Sequence, residues 1–376
     1  MSHKFFFKHF LLACAGLILL FSEVAAAGEA RPGWQADWEK TLQAAKKEGQ
    51  VDIYTANDYD RVFMDFQKRY PEIKVSAITT ANNPGSFSQI IAERRAGKYL
   101  RDLYIGGAAT GYNILYKGDV LAPLKPTLML PEVLDESKWW KGIHRYMDDK
   151  GEYLYGFAEM ALPFVGYNTK LVNPKEIRSY WDLLNPKWKG KIIGLDPTMG
   201  SAVDTHLVFL YHSPDLGPEF IHRFLAEMDM AASRDARQIV DWLAAGKYAI
   251  SIFTTPSRAR LDEAKEQGLP VDWFVPNHLK EGVGSSTSSG NVGLVHPAPH
   301  PNAAKIAINW LLSREGQIAY QKATNGDSRR IDIPKDGVRP STKRLEGTRY
   351  VETDSPERRH MEPIRKIVND SWKRGR

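Results

Sequence analysis

The sequence predicts an α/β protein built as two lobes, and three observations predict it. Strand-like apolar runs alternate with helical periodicity between residues 38 and 105. A second alternating unit follows at 191–253. An apolar run at 156–168 and a Gly/Ser loop at 282–291 lie where the chain would cross between the two units. Alternation at this spacing implies parallel sheets, because parallel strands need a crossover connection that a helix supplies.

Each element follows from its own pattern. Trp38, Leu42 and Ala45 share one face of a helix that Gly49 stops. Val51–Thr55 reads as a strand and leads into the polar turn 56–59; Val62, Phe63, Phe66 and Tyr70 then make a helix face before Pro71. Ile73–Ile78 is the second strand, a polar loop and a helix through Ile90, Ile91 and Ala92 follow, and Leu103–Ile105 is the third strand. The run FAEMALPFVGYN, ending at Asn168, predicts one long strand passing between lobes. Lys191–Leu195 predicts a strand, with helices from Ser201 and over 235–245, and Tyr248–Phe253 a further strand. Val292–Val295 is the expected return crossing, and Pro301 opens an amphipathic helix through Ala304, Ala307, Ile308, Leu311 and Leu312. Beyond about residue 335 the chain turns polar and basic, as surface helix and tail. The boundaries that follow are 28–155 with 283–328 for lobe 1, and 156–282 with 329–376 for lobe 2.

Composition excludes several classes. The 376 residues are 43% hydrophobic and 26% charged, which fits globular structure and not wholesale disorder. The net charge of +6 comes with no Lys/Arg block of the kind that binds nucleic acid. Lys4 and Lys8 precede the apolar run Phe10–Phe21, and Ala25-Ala26-Ala27 supplies a small-residue cleavage pattern: residues 1–27 read as a signal peptide cleaved near Ala27, placing the protein in the periplasm. Cys14, the sole cysteine, sits in a segment like a lipoprotein acylation box, yet apolar residues continue beyond it, which favours ordinary cleavage. The motifs H-E-x-x-H, G-x-S-x-G and G-x-x-x-x-G-K-[ST] are all missing from the sequence, so an enzyme is not expected and no cofactor is implied. His296 and His300 are spaced like a helical zinc pair, but Pro297 and Pro299 preclude a helix and no Cys or carboxylate is close in sequence; no metal site is expected.

Two lobes joined by crossing strands leave a cleft at the carboxyl ends of the strands, where open α/β sheets bind ligands. Thr198, Gly200 and Ser201 form a strand-to-helix turn whose free N–H groups and dipole suit an anion, with an ordinary N-cap at Ser201 as the alternative. Arg234 offers a planar fork to a carboxylate or phosphate, or is a surface arginine beside the N-cap Asp235. Thr254 and Thr255 follow a buried-type strand directly. Asn57, Tyr59 and Ser86 belong to loops on the first-lobe side; Tyr59 either stacks on a ligand or packs its own helix start. Asn291 lies in the Gly/Ser loop, where hinge flexibility leads and ligand contact comes second.

The order of WEKTLQAAKKEGQVDIYTAN, RDLYIGG, SYWDLLNPKWKGKIIGLDP, LAAGKYAISIF and PHPNAAKIAINWLLSREGQIAYQKA resembles periplasmic solute-binding proteins of ABC transporters, in the group that holds ferric, thiamine and phosphonate binders. The resemblance implies a hinged class II periplasmic-binding-protein fold, a small-molecule ligand, permease subunits in the inner membrane as partners, and a monomer. Ferric binders of this group hold iron through adjacent tyrosines just after the strand corresponding to Tyr248–Phe253; this chain has Thr254-Thr255 there. The expected ligand is therefore a small polar or anionic organic solute, with ferric iron or an iron chelate as the rival. A ligand-presenting partner for a membrane sensor, or an exported enzyme, is the reading from another class.

Overall fold

The computed structural model describes residues 33–55, 59–79, 86–254 and 258–372; the side chains of residues 86–88, 201 and 202 are also outside the described set. The signal-like segment, Asn57 and Thr255 thus lie outside it. The strands are β1 (Gln50–Thr55), β2 (Lys74–Thr79), β3 (Leu103–Gly106), β4 (Leu121–Ala122), β5 (Leu154–Gly156), β6 (Met160–Leu162) and β7 (Gly166–Asn168). They continue with β8 (Ile192–Leu195), β9 (Ala231–Ser233), β10 (Ile250–Ile252), β11 (Val271–Trp273), β12 (Val283–Ser286), β13 (Asn291–Val295) and β14 (Tyr350–Glu352). The longer helices are α1 (Trp34–Glu48), α2 (Tyr59–Arg69), α3 (Ser86–Arg95), α4 (Ser201–His212) and α5 (Gly217–Glu227). After them come α6 (Ala236–Ala244), α7 (Arg258–Glu266), α8 (Pro301–Leu312), α9 (Arg314–Thr324) and α10 (Glu362–Ser371).

Among the described residues these strands make three sheets, and their order defines a two-lobed molecule. The first runs β2-β1-β3-β13-β4, with β5 also on β13; the second runs β11-β7-β10-β8-β9; a small third sheet, β14-β12-β6, lies on the path between them. In the first sheet β1 pairs in parallel with β2 and β3, as the strand–helix alternation requires, whereas β13 returns antiparallel to β3. In the second, β10–β8 and β8–β9 are parallel and β7 is antiparallel to β10.

Each lobe has its own core. Val51, Ile53, Phe63, Phe66, Leu103 and Trp310 belong to one, in which α1, α2 and α8 cover the first sheet. Ile192, Ile193, Leu207, Phe209, Phe224 and Ile250 belong to the other, which also takes in Ile364 and Val368 from α10. The described part of the C-terminal tail therefore closes with a packed helix, held further by an Arg365–Asp204 ion pair. No described helix is long and apolar enough to cross a membrane.

Two expectations change. The run at 156–168 is not one strand: β5, β6 and β7 belong to the three different sheets in turn. Pro163 falls between β6 and β7; it has no N–H to give a ladder, and a chain that changes sheets cannot keep one register. The return crossing is likewise made earlier than expected, by β12, paired antiparallel to β6 and parallel to β14, before β13 rejoins the first sheet.

Candidate functional site

The loop after β3, the helix α4 and the crossing sheet enclose a cavity of about 350 Å³. Gly107, Ala108 and Asn113 line it from the first lobe; Asp204, Thr205 and Val208 line it from α4; Ser286, Ser288, Thr353 and Asp354 line it from the crossing sheet. Arg358, Arg359 and Met361 complete the wall. This size falls at the small end of ligand sites, which run from about 300 to 1,000 Å³.

The charges on this wall are unequal in their pairing. Asp354 accepts from Arg145 Nη2 at 2.7 Å with one oxygen. Its other oxygen accepts from Ser286 Oγ (2.9 Å), Thr287 N (2.8 Å) and Thr287 Oγ1 (2.6 Å). Asp204 is paired with Arg365. No described carboxylate forms an ion pair with Arg358 or Arg359. Arg358 Nη1 donates to the Glu352 carbonyl. Arg359 Nη2 donates to the Met147 carbonyl, its guanidinium stands 3.6 Å from the Tyr112 ring centroid, and its Nη1 is shut off from solvent with no hydrogen-bond partner. Burial pushes the Arg359 pKa down, against the pull of Tyr112 and nearby carboxylates. With both aspartates compensated, the wall carries a surplus of positive charge.

The expected site residues are distributed differently. Thr198 is exposed and its hydroxyl donates to Asp196 Oδ1 at 2.7 Å, within its own turn. Gly200 caps α4 at φ 76°, a conformation that favours glycine. The cavity meets α4 beyond Ser201, at Asp204 and Thr205, and Asp204 already faces the helix N-terminus with its charge. Arg234 is exposed and does not line the cavity.

Tyr59 is buried, its ring stacked on Tyr320 and edge-on to Phe157, so the ring is spent on the first-lobe core and not left as a stacking platform. Thr254 is buried and donates to the Phe164 carbonyl at 3.1 Å; the residue before it, Phe253, holds φ 59°. Asn291 is buried too, donating to Gly106 O at 2.8 Å and Ser288 O at 3.1 Å, which pins the crossing to β3. Ser86 opens α3. Arg329 and Arg330, in the basic run 328–332, are fully buried: Arg329 pairs with Glu159 at 2.7 Å and Arg330 with Asp332 at 2.7 Å.

Among the cavity residues not anticipated from the sequence, which also include Asp204 and Thr205 on α4 and Ser286 on β12, two groups are instructive. Gly107 and Asn113 follow the carboxyl end of β3, so the general rule for open sheets points to them. Thr353, Asp354, Arg358 and Arg359 lie in a polar tail whose sequence has no period to announce them.

A two-lobed α/β molecule with a cavity walled by both lobes and the strands that cross between them is the architecture of a binding protein. Residues 35–318 match the family model for bacterial extracellular solute-binding proteins, and the chain belongs to that family. Among curated relatives, iron uptake protein A1 of Synechocystis sp. is 26% identical over 185 residues. That match covers 46% of this chain and spans about half the relative's length, 49%. Among solved structures, Trichodesmium IdiA/FutA in complex with iron and citrate aligns with TM-score 0.65 at 19% identity, over 86% of this chain and 100% of that one. Mannheimia haemolytica ferric iron-binding protein A in an open conformation gives TM-score 0.65 at 14% identity, over 86% and 98%. Actinobacillus pleuropneumoniae AfuA with fructose-6-phosphate bound gives 0.54 at 20% identity, over 87% and 99%.

Proposed function

We propose that this chain is the substrate-binding component of an ABC importer: exported to the periplasm, it captures a small polar or anionic organic solute between its lobes and delivers it to inner-membrane permease subunits. The observation that carries the ligand class is the pair Arg358 and Arg359 on a cavity wall that has no tyrosine among the described residues. The loops outside the described set, 56–58, 80–85 and 255–257, contain no tyrosine in sequence either. Ferric ion needs anionic oxygen donors, whereas guanidinium groups without carboxylate partners and a ring of hydroxyls suit a phosphate or carboxylate with polar groups attached. AfuA, solved with a sugar phosphate, is a precedent for such a ligand on this fold.

Capture would proceed by hinge closure. The two large sheets with their helices move as bodies, the crossing sheet bends, and the ligand favours the closed state by touching both lobes. A panel of phosphorylated, carboxylated and polyol solutes therefore contains one that raises the melting temperature and lowers the radius of gyration in solution scattering. If the whole panel leaves both unchanged, organic-anion capture is wrong.

A second reading has specific support: the relatives include an iron uptake protein and a structure holding iron with citrate. A ferric chelate presents carboxylates on its surface, so the same arginines would take it through its organic part, without tyrosine ligation. Ferric citrate belongs in the panel beside iron-free citrate. Tighter binding of the iron form favours this reading.

A further inference from the structure

His300 stands far from the cavity, at the N-cap of α8, and there it meets two aspartates from distant parts of the chain. Asp102 immediately precedes β3 and Asp52 lies within β1, so the cluster occupies the end of the first sheet opposite the carboxyl ends of its parallel strands. His300 Nδ1 is 2.9 Å from Asp102 Oδ2 and 3.3 Å from Asp52 Oδ2. One potential ligand atom from each residue lies within 4.8 Å of the other two.

The charge in this cluster is not balanced by its partners. A neutral imidazole has one N–H, so Nδ1 satisfies one carboxylate and leaves the other facing a nitrogen it cannot share. No lysine or arginine among the described residues forms an ion pair with either aspartate. Asp102 is completely buried; it also accepts from Asp52 N at 2.7 Å and His300 N at 2.6 Å, contacts that orient the carboxylate. Gln50 Nε2 orients Asp52 in the same way, at 2.9 Å. Two preoriented carboxylates converge on one imidazole nitrogen, and the His300 and Asp52 side chains keep 23% and 12% exposure, through which water reaches the cluster.

We propose that Asp52, Asp102 and His300 form a site for a divalent transition-metal cation of the zinc class. Zinc takes nitrogen and carboxylate ligands at about 2.0–2.2 Å in tetrahedral geometry, which places neighbouring ligand atoms roughly 3.3 Å apart. The His300 distances already approach that edge length. An imidazole nitrogen in the set disfavours magnesium and calcium, which prefer oxygen. Binding takes the neutral ring in its other tautomer: Nδ1 gives its proton to solvent, Nε2 takes one up from solvent, the freed Nδ1 lone pair goes to the metal, and one water completes the shell. The ion would tie β1, β3 and the start of α8 together, a fastening independent of what the cavity holds.

The test uses the full-length chain freed of its leader, stripped with EDTA and titrated with zinc chloride. Calorimetry and native mass spectrometry are expected to record one zinc per chain and a raised melting temperature. His300→Ala and Asp52→Asn, each checked for a folded circular dichroism spectrum, are expected to weaken zinc binding by about tenfold or more. His296→Ala, which alters the exposed histidine four residues away, leaves it unchanged. Should folded wild-type protein take up no zinc, or should both ligand variants bind it as tightly as wild type, the site does not exist.

Discussion

Arg359 and His206 are two buried or half-buried basic groups put to opposite uses. Arg359 lines the cavity with a guanidinium that lacks one hydrogen bond and any carboxylate partner. A charge-assisted hydrogen bond contributes about 1.5–3 kcal/mol, so Arg359→Gln should weaken binding of the anion found in the panel by about 10- to 100-fold. A melting temperature close to wild type would show that the loss is one of recognition. His206, on α4, is fully buried, stacked 3.9 Å from the Phe164 ring, and accepts from Phe253 N at 3.2 Å through Nδ1. The neutral ring therefore carries its proton on Nε2, and burial holds its pKa well below the ordinary histidine value. Unfolded, the ring takes up a proton near pH 6.5; folded, it does not. Acid therefore favours the unfolded chain, and stability should fall below about pH 6.5 by up to ~1.4 kcal/mol per pH unit from this group. Denaturant titrations of wild type and His206→Gln between pH 5 and 8 should differ by this slope; parallel curves would refute it.

The crossing elements show how far pattern reading reaches. Strands β1, β3 and β8 were legible because apolar runs record burial, and each is buried by its own neighbours; β2, whose residues are exposed or half-buried, was legible from its β-branched residues alone. Strand β12 was not: Val283–Ser286 sits in a Gly/Ser-rich stretch with no apolar signal, and is a strand because β6 and β14 pair with it from both sides. No local pattern announces the burial of Arg329 and Arg330, since their partners Glu159, Glu132 and Asp332 include residues about 170 and 200 positions away. The metal-like cluster was illegible for the same reason; no local window contains Asp52, Asp102 and His300 together. At the cleft, Gly and Ser positions drew attention correctly to the crossing, but the tail residues Asp354 and Arg359 had no pattern to give them away. Around the crossing, Glu159 lies fully buried between Arg145 and Arg329. Burial alone would raise its pKa, yet the two guanidinium groups bring it down to about 2. Glu159→Gln leaves both cations without their shared anion, so a loss of about 3–5 kcal/mol is expected in urea unfolding at pH 7. Gly290 bonds through its carbonyl to Phe157 N and Ala158 N, and a Cβ on it would stand 2.2 Å from Ala158 Cβ. Gly290→Ala should push the two crossing segments apart and cost about 1–3 kcal/mol.

At the scale of the whole molecule, two separately cored lobes share a small crossing sheet, and a tail returns to both. Strand β14 joins the crossing sheet, α10 packs on α4 and α5, and between them Arg359 reaches Met147 and Tyr112 in the first lobe. Such a molecule stores ligand-dependent energy in the angle between its lobes, and any ligand gripping both walls shifts it toward closure. The ligand gripped there is proposed to be a small organic anion and not an iron ion held by tyrosinates. Native mass spectrometry of protein freshly purified from the periplasm addresses it most directly. One bound organic acid or phosphorylated solute per chain is expected, lost when Arg359 is replaced by Gln. Protein that instead arrives coloured, with a tyrosinate-to-iron absorption band and a mass increase of one bare iron atom, would contradict it.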